Sequence, residues 1–174
     1  MYKIFQIILS AFVLVSTFGC SGVKEAKDLV GLGGKDRTVY SGPKYAPTSQ
    51  VAIAFQPAQV PKSCRVFAEV MVQLPPKLTG KDIETAILTE AGKRGADQVL
   101  IGQSRQGDDK GTRFLYYGPD KEYLCSEQCG SWKFGFDLWE KQGEWVNIGY
   151  KEWGKTEVRY DVPLLVQLAL LQCR

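Results

Sequence analysis

The chain of 174 residues contains no histidine. That absence removes the Ser-His-Asp and Cys-His catalytic pairs. It also removes haem attachment through Cys-x-x-Cys-His, every zinc site that uses an imidazole, and the commonest general base near neutral pH. Carboxylates, lysines and tyrosines remain, but no motif gathers them. Asp108-Asp109, the one adjacent acidic pair, lies in the polar turn-like stretch Ser104 to Gly111 and reads as a solvated loop. Charge of one sign is also lacking: 22 Lys and Arg against 19 Asp and Glu give a net +3, scattered without a basic stripe, so no nucleic-acid partner is expected. Beyond the first twenty residues no apolar run is long enough to span a bilayer; Val162 to Leu171 is the nearest and is about half the needed length. Gly31-Leu-Gly-Gly-Lys-Asp36 lacks the spacing of a phosphate-binding loop and the strand and helix that would flank one. No enzyme and no cofactor are expected.

What is there begins at the N-terminus. Lys3 precedes a nearly apolar stretch, Ile4 to Val15, and Thr17-Phe18-Gly19 lead into Cys20. This order predicts a signal peptide over residues 1–19. A cysteine directly after the cut resembles the bacterial lipobox, with Thr17 where Leu is usual and Phe18 bulky for its place. The expected product carries a diacylglycerol on the Cys20 thiol and an acyl chain on its new amino group, and more than one chain gives stable attachment. The alternative is an ordinary signal peptide with Cys20 as a structural cysteine. Ser21 and Gly22 leave no Asp after Cys20, which resembles the pattern for transfer to the outer membrane. The expected location is therefore the outer membrane, lipid-anchored, on its periplasmic face or at the cell surface, where disulfides persist.

Setting Cys20 aside, four of the five cysteines remain: Cys64, Cys125, Cys129 and Cys173. An even number outside the cytoplasm predicts two disulfides. The rival is a four-cysteine metal site. Cys125 and Cys129 have zinc-ligand spacing, but Cys64 and Cys173 are isolated and far apart, so crosslinks are preferred and no metal is expected. Cys64 opens one strand and Cys173 closes the chain. Antiparallel neighbours would pair those two and leave Cys125 with Cys129.

Residues 20–49 read as a flexible tether, rich in glycine and poor in apolar side chains, and residues 50–174 as one domain. Val51 to Phe55 is a short strand candidate. Cys64 to Gln73 is a longer one, whose alternation places Cys64, Val66, Ala68, Val70 and Val72 on one face. Thr79 and Asp82 resemble a capping box with Asp for the usual Glu. Ile83, Ala86, Ile87 and Ala91 form one apolar helical face, and Gly95 can stop the helix. Ala96 to Gly102 returns as a strand, and Thr112 to Tyr117 is another. Trp132 to Glu140 and Trp145 to Trp153 read as a β-hairpin. Val162 to Cys173 is apolar almost throughout, which leaves strand and short helix open; strand is preferred. The fold class expected is α+β: one small, mostly antiparallel sheet with one packed amphipathic helix, plus a β-hairpin.

Cys64-Arg-Val-Phe-Ala-Glu-Val, then Ile87 to Ile101 with Gly95-Ala-Asp-Gln-Val-Leu, and a terminal strand with Cys173 together resemble the Rcs-sensor-like outer-membrane lipoproteins. The likeness covers about forty residues and the C-terminus. Cys125, Cys129 and the aromatic stretch Trp132 to Trp153 have no counterpart in it, and Ser104 stands near a place where the Rcs sensor has a further cysteine. The resemblance implies a small α+β domain, tethered by lipid, that binds other envelope components.

The four tryptophans, Trp132, Trp139, Trp145 and Trp153, fall within about twenty residues. Core packing accounts for some, and Trp139 and Trp145 are the candidate partner-binding residues. The function expected is a non-enzymatic outer-membrane lipoprotein, a structural or sensing subunit of a cell-envelope or secretion assembly whose partners are envelope proteins. The alternative is a glycan- or peptidoglycan-binding module. A direct test of the anchor is Cys20→Ser, which should block processing and release the protein from membranes. Membrane fractionation with signal removal intact would refute lipidation.

Overall fold

The computed structural model describes residues 36–173. Cys20, the signal segment and the first part of the expected tether therefore lie outside the described residues. The chain divides between Asp36 and Arg37, and the unit from Arg37 onward holds all the regular structure described here. Its strands are β1 (Ala52–Ala54), β2 (Arg65–Leu74), β3 (Leu78–Thr79), β4 (Gln98–Gln106), β5 (Arg113–Gly118), β6 (Tyr123–Leu124), β7 (Arg159–Tyr160) and β8 (Leu164–Gln172). Helix α1 spans Gly80–Lys93, and two single-turn helices come later, α2 (Cys125–Gln128) and α3 (Phe136–Trp139).

The main sheet runs β1-β4-β8-β2-β5, with β6 also on β2; β3 and β7 form a separate two-stranded ladder. Only β1 on β4 is parallel; β8 is antiparallel to both β2 and β4. Hence β2 and β4 are parallel to each other, with α1 between them in sequence and β8 between them in space. The chain is α+β, as expected.

Helix α1 begins where its capping residues require. The Thr79 hydroxyl accepts from the Asp82 amide at 3.1 Å, and the Asp82 carboxylate accepts from the Thr79 amide at 2.8 Å and hydroxyl at 2.7 Å. These bonds to the ionised form hold the Asp82 pKa low. Ile83, Ile87 and Ala91 are buried against the sheet. Each of the two isoleucines contributes about 1.5–3 kcal/mol by leaving water. The helix stops at Gly95, whose φ of +74° suits glycine.

The same Gly95 shows why the domain starts earlier than Gln50. A Cβ there would meet the Ala46 carbonyl oxygen at 2.5 Å. Residues 37–50 are packed on the domain: the Tyr40 ring meets Tyr116 at 4.9 Å, Tyr45 meets Phe67 at 4.9 Å, and the Thr48 amide donates to Gly92 at 3.0 Å. The expectation of a tether to residue 49 rested on glycine and proline content. Two tyrosines outweigh it, because each buries a large ring.

Strand β2 changes face partway along. Its register against β8 shifts between Val66 and Ala68. A bulge of this kind inserts one residue and reverses the parity of the residues beyond it. Ala68, Val70, Val72 and Leu74, with Phe67, therefore pack on the α1 side. Cys64 and Val66 lie on the other face with Ala54, Leu100, Cys125 and Leu171. The single face expected for Cys64 through Val72 is thus split in two.

Strand β8 is buried along its whole length. Leu164, Val166, Leu168 and Leu170 face α1, while Leu165, Ala169 and Leu171 belong to clusters on the opposite face. Burial on both faces explains the unbroken apolar run.

The expected hairpin over Trp132–Trp153 does not form. Trp132 (φ 49°) and Gly135 (φ 66°) both take left-handed conformations, which breaks the alternation. Helical bonds then run from the Trp139 amide to Gly135 at 2.9 Å and from the Glu140 amide to Phe136 at 3.0 Å. The later half pairs with the end of β4: the Gln106 amide donates to Glu144 at 2.8 Å, Gly143 to Gln106 at 2.8 Å, and Val146 to Ser104 at 3.1 Å.

Both expected disulfides are present, Cys64–Cys173 and Cys125–Cys129. The first joins residues 109 apart in sequence, the second residues 4 apart. Chain entropy then predicts about 4–5 kcal/mol for the long loop and about 2 kcal/mol for the short one. Replacing Cys64 and Cys173 together by Ala should lower the urea unfolding free energy by about twice as much as replacing Cys125 and Cys129. Non-reducing peptide mapping should return these two linkages; a Cys64–Cys125 peptide would overturn the pairing.

Candidate functional site

The face of the sheet opposite α1 is covered by irregular chain, and this cover carries two exposed aromatics, Phe136 and Trp145. Gln167 on β8 anchors it. Its side chain is fully buried, and its Nε2 donates to the carbonyls of Trp132 at 3.3 Å and Phe134 at 3.2 Å. The Trp132 ring lies over Gly102 on β4, where a Cβ would sit 2.6 Å from the ring atoms. No side chain other than glycine leaves room for it.

Of the two candidate partner-binding residues, the structure separates one from the other. Trp139 is 6% exposed and packs with Met71, Phe134 and Leu165. It is a core residue, because α3 replaces the strand whose alternation would have turned it outward. Trp145 is 64% exposed. Its ring meets Trp139 at 5.7 Å in an edge-to-face arrangement. The Arg105 guanidinium lies 5.6 Å from the Trp139 ring centre and 5.5 Å from that of Trp145. Arg105 is itself fixed, donating from Nε to the Gly143 carbonyl at 2.8 Å and from Nη1 to the Trp139 carbonyl at 3.0 Å. Trp145 is therefore a solvent-facing indole mounted on a buried one, with a cation packed against both rings.

A second aromatic group was not legible as a site in the sequence. Phe55, just after β1, meets Tyr150 at 6.5 Å and Trp153 at 5.7 Å, both edge-to-face. With Ile53, Gln59 and Lys155 these residues line a cavity of about 320 Å³. Tyr150 is 83% exposed, and the Trp153 indole N–H is buried without an acceptor. The turn that carries Tyr150 and Trp153 is held by the Gly149 amide donating to Glu152 at 3.0 Å and by the Tyr160 hydroxyl donating to Asn147 at 2.9 Å. The one signal in the sequence is an aromatic pair, Tyr150 and Trp153, inside a glycine-bounded turn from Gly149 to Gly154.

Two titrating clusters lie elsewhere on the domain. Arg94, just past the last turn of α1, donates to Glu90 at 2.6 Å and to the Tyr116 hydroxyl at 3.2 Å, and Tyr116 donates to Glu90. Burial and the Glu90 charge raise the Tyr116 pKa, and burial pushes Tyr40 up to about 12. These phenols stay neutral and fasten the N-terminal segment and β5 to α1. On the other side of β2, Tyr123 donates to the half-buried Glu69 at 2.9 Å. Burial raises the Glu69 pKa, against the opposing effect of this hydrogen bond.

Among the described residues no group of three or more Cys, Asp or Glu is placed to hold a metal ion. The four cysteine sulfurs that a metal site would need are joined in pairs. No described helix is long and apolar enough to cross a membrane. In comparisons with known proteins, no family model, no curated protein and no solved structure matches the chain.

The Glu69 environment gives a test with a definite sign. Folding raises its pKa above the ordinary 4.5, so just above that pH the native state holds a proton that the unfolded chain has released. Stability from this group is present below pH 4.5 and declines as pH rises through the native pKa. Glu69→Gln abolishes the titration, so urea midpoints of the variant should gain on the wild type between about pH 4 and pH 7. A gap that stays constant or narrows would contradict the assignment.

Proposed function

We propose that the chain is a non-enzymatic lipoprotein, anchored in the outer membrane through Cys20, that serves as a structural or sensing subunit of an envelope or secretion assembly. In this reading the folded unit acts by contact, and Trp145 is the centre of the surface that meets a protein partner. The observation that carries it is the mounting of Trp145: an indole with 64% exposure packed against Arg105, which is itself fixed by the Gly143 and Trp139 carbonyls. Exposed tryptophan is unfavourable in water, and tryptophan, tyrosine and arginine are the residues enriched at the energetic centres of interfaces. Preorganisation favours this further, because a ring already fixed loses little freedom on binding. The resemblance to Rcs-sensor-like lipoproteins and the order of residues before Cys20 support the anchored, envelope-facing part of the reading.

Crosslinking in intact cells followed by mass spectrometry would identify the partner. Trp145→Ala should then weaken its affinity about 30-fold, the effect of losing an interfacial tryptophan worth ~2 kcal/mol. The urea midpoint should stay unchanged. Trp139→Ala serves as contrast, because it removes a core ring and should cost about 3–5 kcal/mol of stability. A Trp145→Ala variant that folds normally and binds the crosslinked partner with wild-type affinity would refute the reading.

A further inference from the structure

We propose that the cavity walled by Phe55, Tyr150 and Trp153 binds an acidic amino sugar, a pyranose carrying an acetamido group and a carboxylate. This site is separate from the Trp145 surface and does not rest on the docking reading.

The walls supply flat apolar surface. Phe55 sits between two rings that stand at 88° and 77° to it, and Tyr150 projects from its turn with 83% exposure. The carbon-bound hydrogens of a pyranose face match such rings, which attract positive edges to their electron-rich faces. The volume, about 320 Å³, suits one or two sugar rings and lies at the small end of ligand sites.

The polar inventory then narrows the ligand. The Gln59 amide oxygen is occupied, accepting from the Phe55 amide at 2.7 Å and the Gln56 amide at 3.0 Å. That leaves its Nε2 as the free end, and Nε2 can only donate. The Trp153 indole also only donates, but its N–H is closed off from solvent, so the donors the cavity offers are Gln59 Nε2 and the Lys155 ammonium. Lys155 contributes an ammonium that makes no ion pair among the described residues. Neither of the acids flanking Lys155 in sequence lines the cavity: Glu152 is engaged by the Gly149 amide, and Glu157 lies beyond the lining. Apart from the amphoteric Tyr150 hydroxyl, every polar side-chain group left in the lining is a donor, and one is cationic. The ligand must therefore bring acceptors and negative charge, which acetamido carbonyls, ring oxygens and a carboxylate provide. A peptide added as a strand fits less well, because the nearby edge strand β1 has only three residues and Pro57 comes soon after.

The test titrates the full chain, in detergent micelles, with N-acetylmuramic acid and separately with N-acetylglucosamine, which lacks the carboxylate. Tryptophan fluorescence and the indole N–H signal of Trp153 are monitored. N-acetylmuramic acid should saturate with a Kd near ~1 mM, in the range open to a single sugar ring. N-acetylglucosamine should bind about two- to fivefold more weakly, and Lys155→Gln should erase that difference. Tyr150→Ala, a change at an exposed ring, should lower affinity about five- to tenfold with the urea midpoint unchanged. Trp145→Ala should leave sugar binding intact, so failure of the docking surface and failure of this site are told apart. The proposal is overturned if neither sugar saturates by ~20 mM, or if Tyr150→Ala binds as the wild type does. Equal affinity for the two sugars overturns the acidic class, and a neutral dipeptide that saturates the same signals overturns the sugar site.

Discussion

The constraint on which everything else depends is that β8 has no solvent face. It sits at the centre of the sheet between β4 and β2, and every residue from Leu164 to Gln172 is buried. A strand apolar on both sides must be covered on both sides. Helix α1 provides one cover through Ile83, Ile87 and Ala91, and it lies across the sheet because β2 and β4 are parallel with the helix between them in sequence. The chain has no second long helix among the described residues, so the other cover is irregular: the turn around Cys125–Cys129, the segment through Trp132 and Phe134, and α3 with Trp139.

Irregular cover is costly unless its backbone polar groups find partners. Here the partners come from the sheet itself. Gln167 donates to two carbonyls of the segment above it, Arg105 to two more, and Ser104 Oγ to the Val146 carbonyl at 2.6 Å. The disulfide Cys125–Cys129 closes the remaining turn. Polar side chains emerging from β4 and β8 thus do for this layer what helical hydrogen bonds do for α1.

This arrangement explains what could and could not be read from sequence. Helix α1 was legible down to its cap, because Thr79, Asp82, the apolar spacing and Gly95 are all local signals. The pairing of Cys64 with Cys173 was legible because both sit at strand ends that β2 and β8 bring together. The bulge near Phe67 was not, because it arises from pairing against β8, and no property of β2 alone marks it. The hairpin pattern over Trp132–Trp153 misleads for a related reason. Alternating aromatics from Trp132 to Leu138 satisfy a strand pattern, but the left-handed turn at Gly135 and the hydrogen bonds offered by β4 favour a looped path. The early start of the domain was hidden because average composition dilutes two anchoring tyrosines, Tyr40 and Tyr45, among glycines and prolines. As to the site, tryptophan clustering could not separate buried Trp139 from exposed Trp145. It also passed over Phe55, about a hundred residues away in sequence, which only the fold brings to Tyr150 and Trp153.

The position of the exposed aromatics follows from the same constraint. Rings on the strands are drawn at least partly into the core, because both faces of the sheet are already committed. Among the described residues the exposed aromatics, Phe136, Trp145 and Tyr150, lie in the cover and in the turn after it. Trp145 lies where that cover pairs with the end of β4, and Tyr150 lies in the turn tied by Glu152 and Tyr160. Trp145 is held by pairing with the main sheet, and the turn of Tyr150 by a bond within itself and one to β7 of the separate ladder. A surface assembled in this way presents large rings in defined positions without any cost to the core. That is the physical condition a recognition surface needs, and the loops of this domain satisfy it because the central strand does not face solvent.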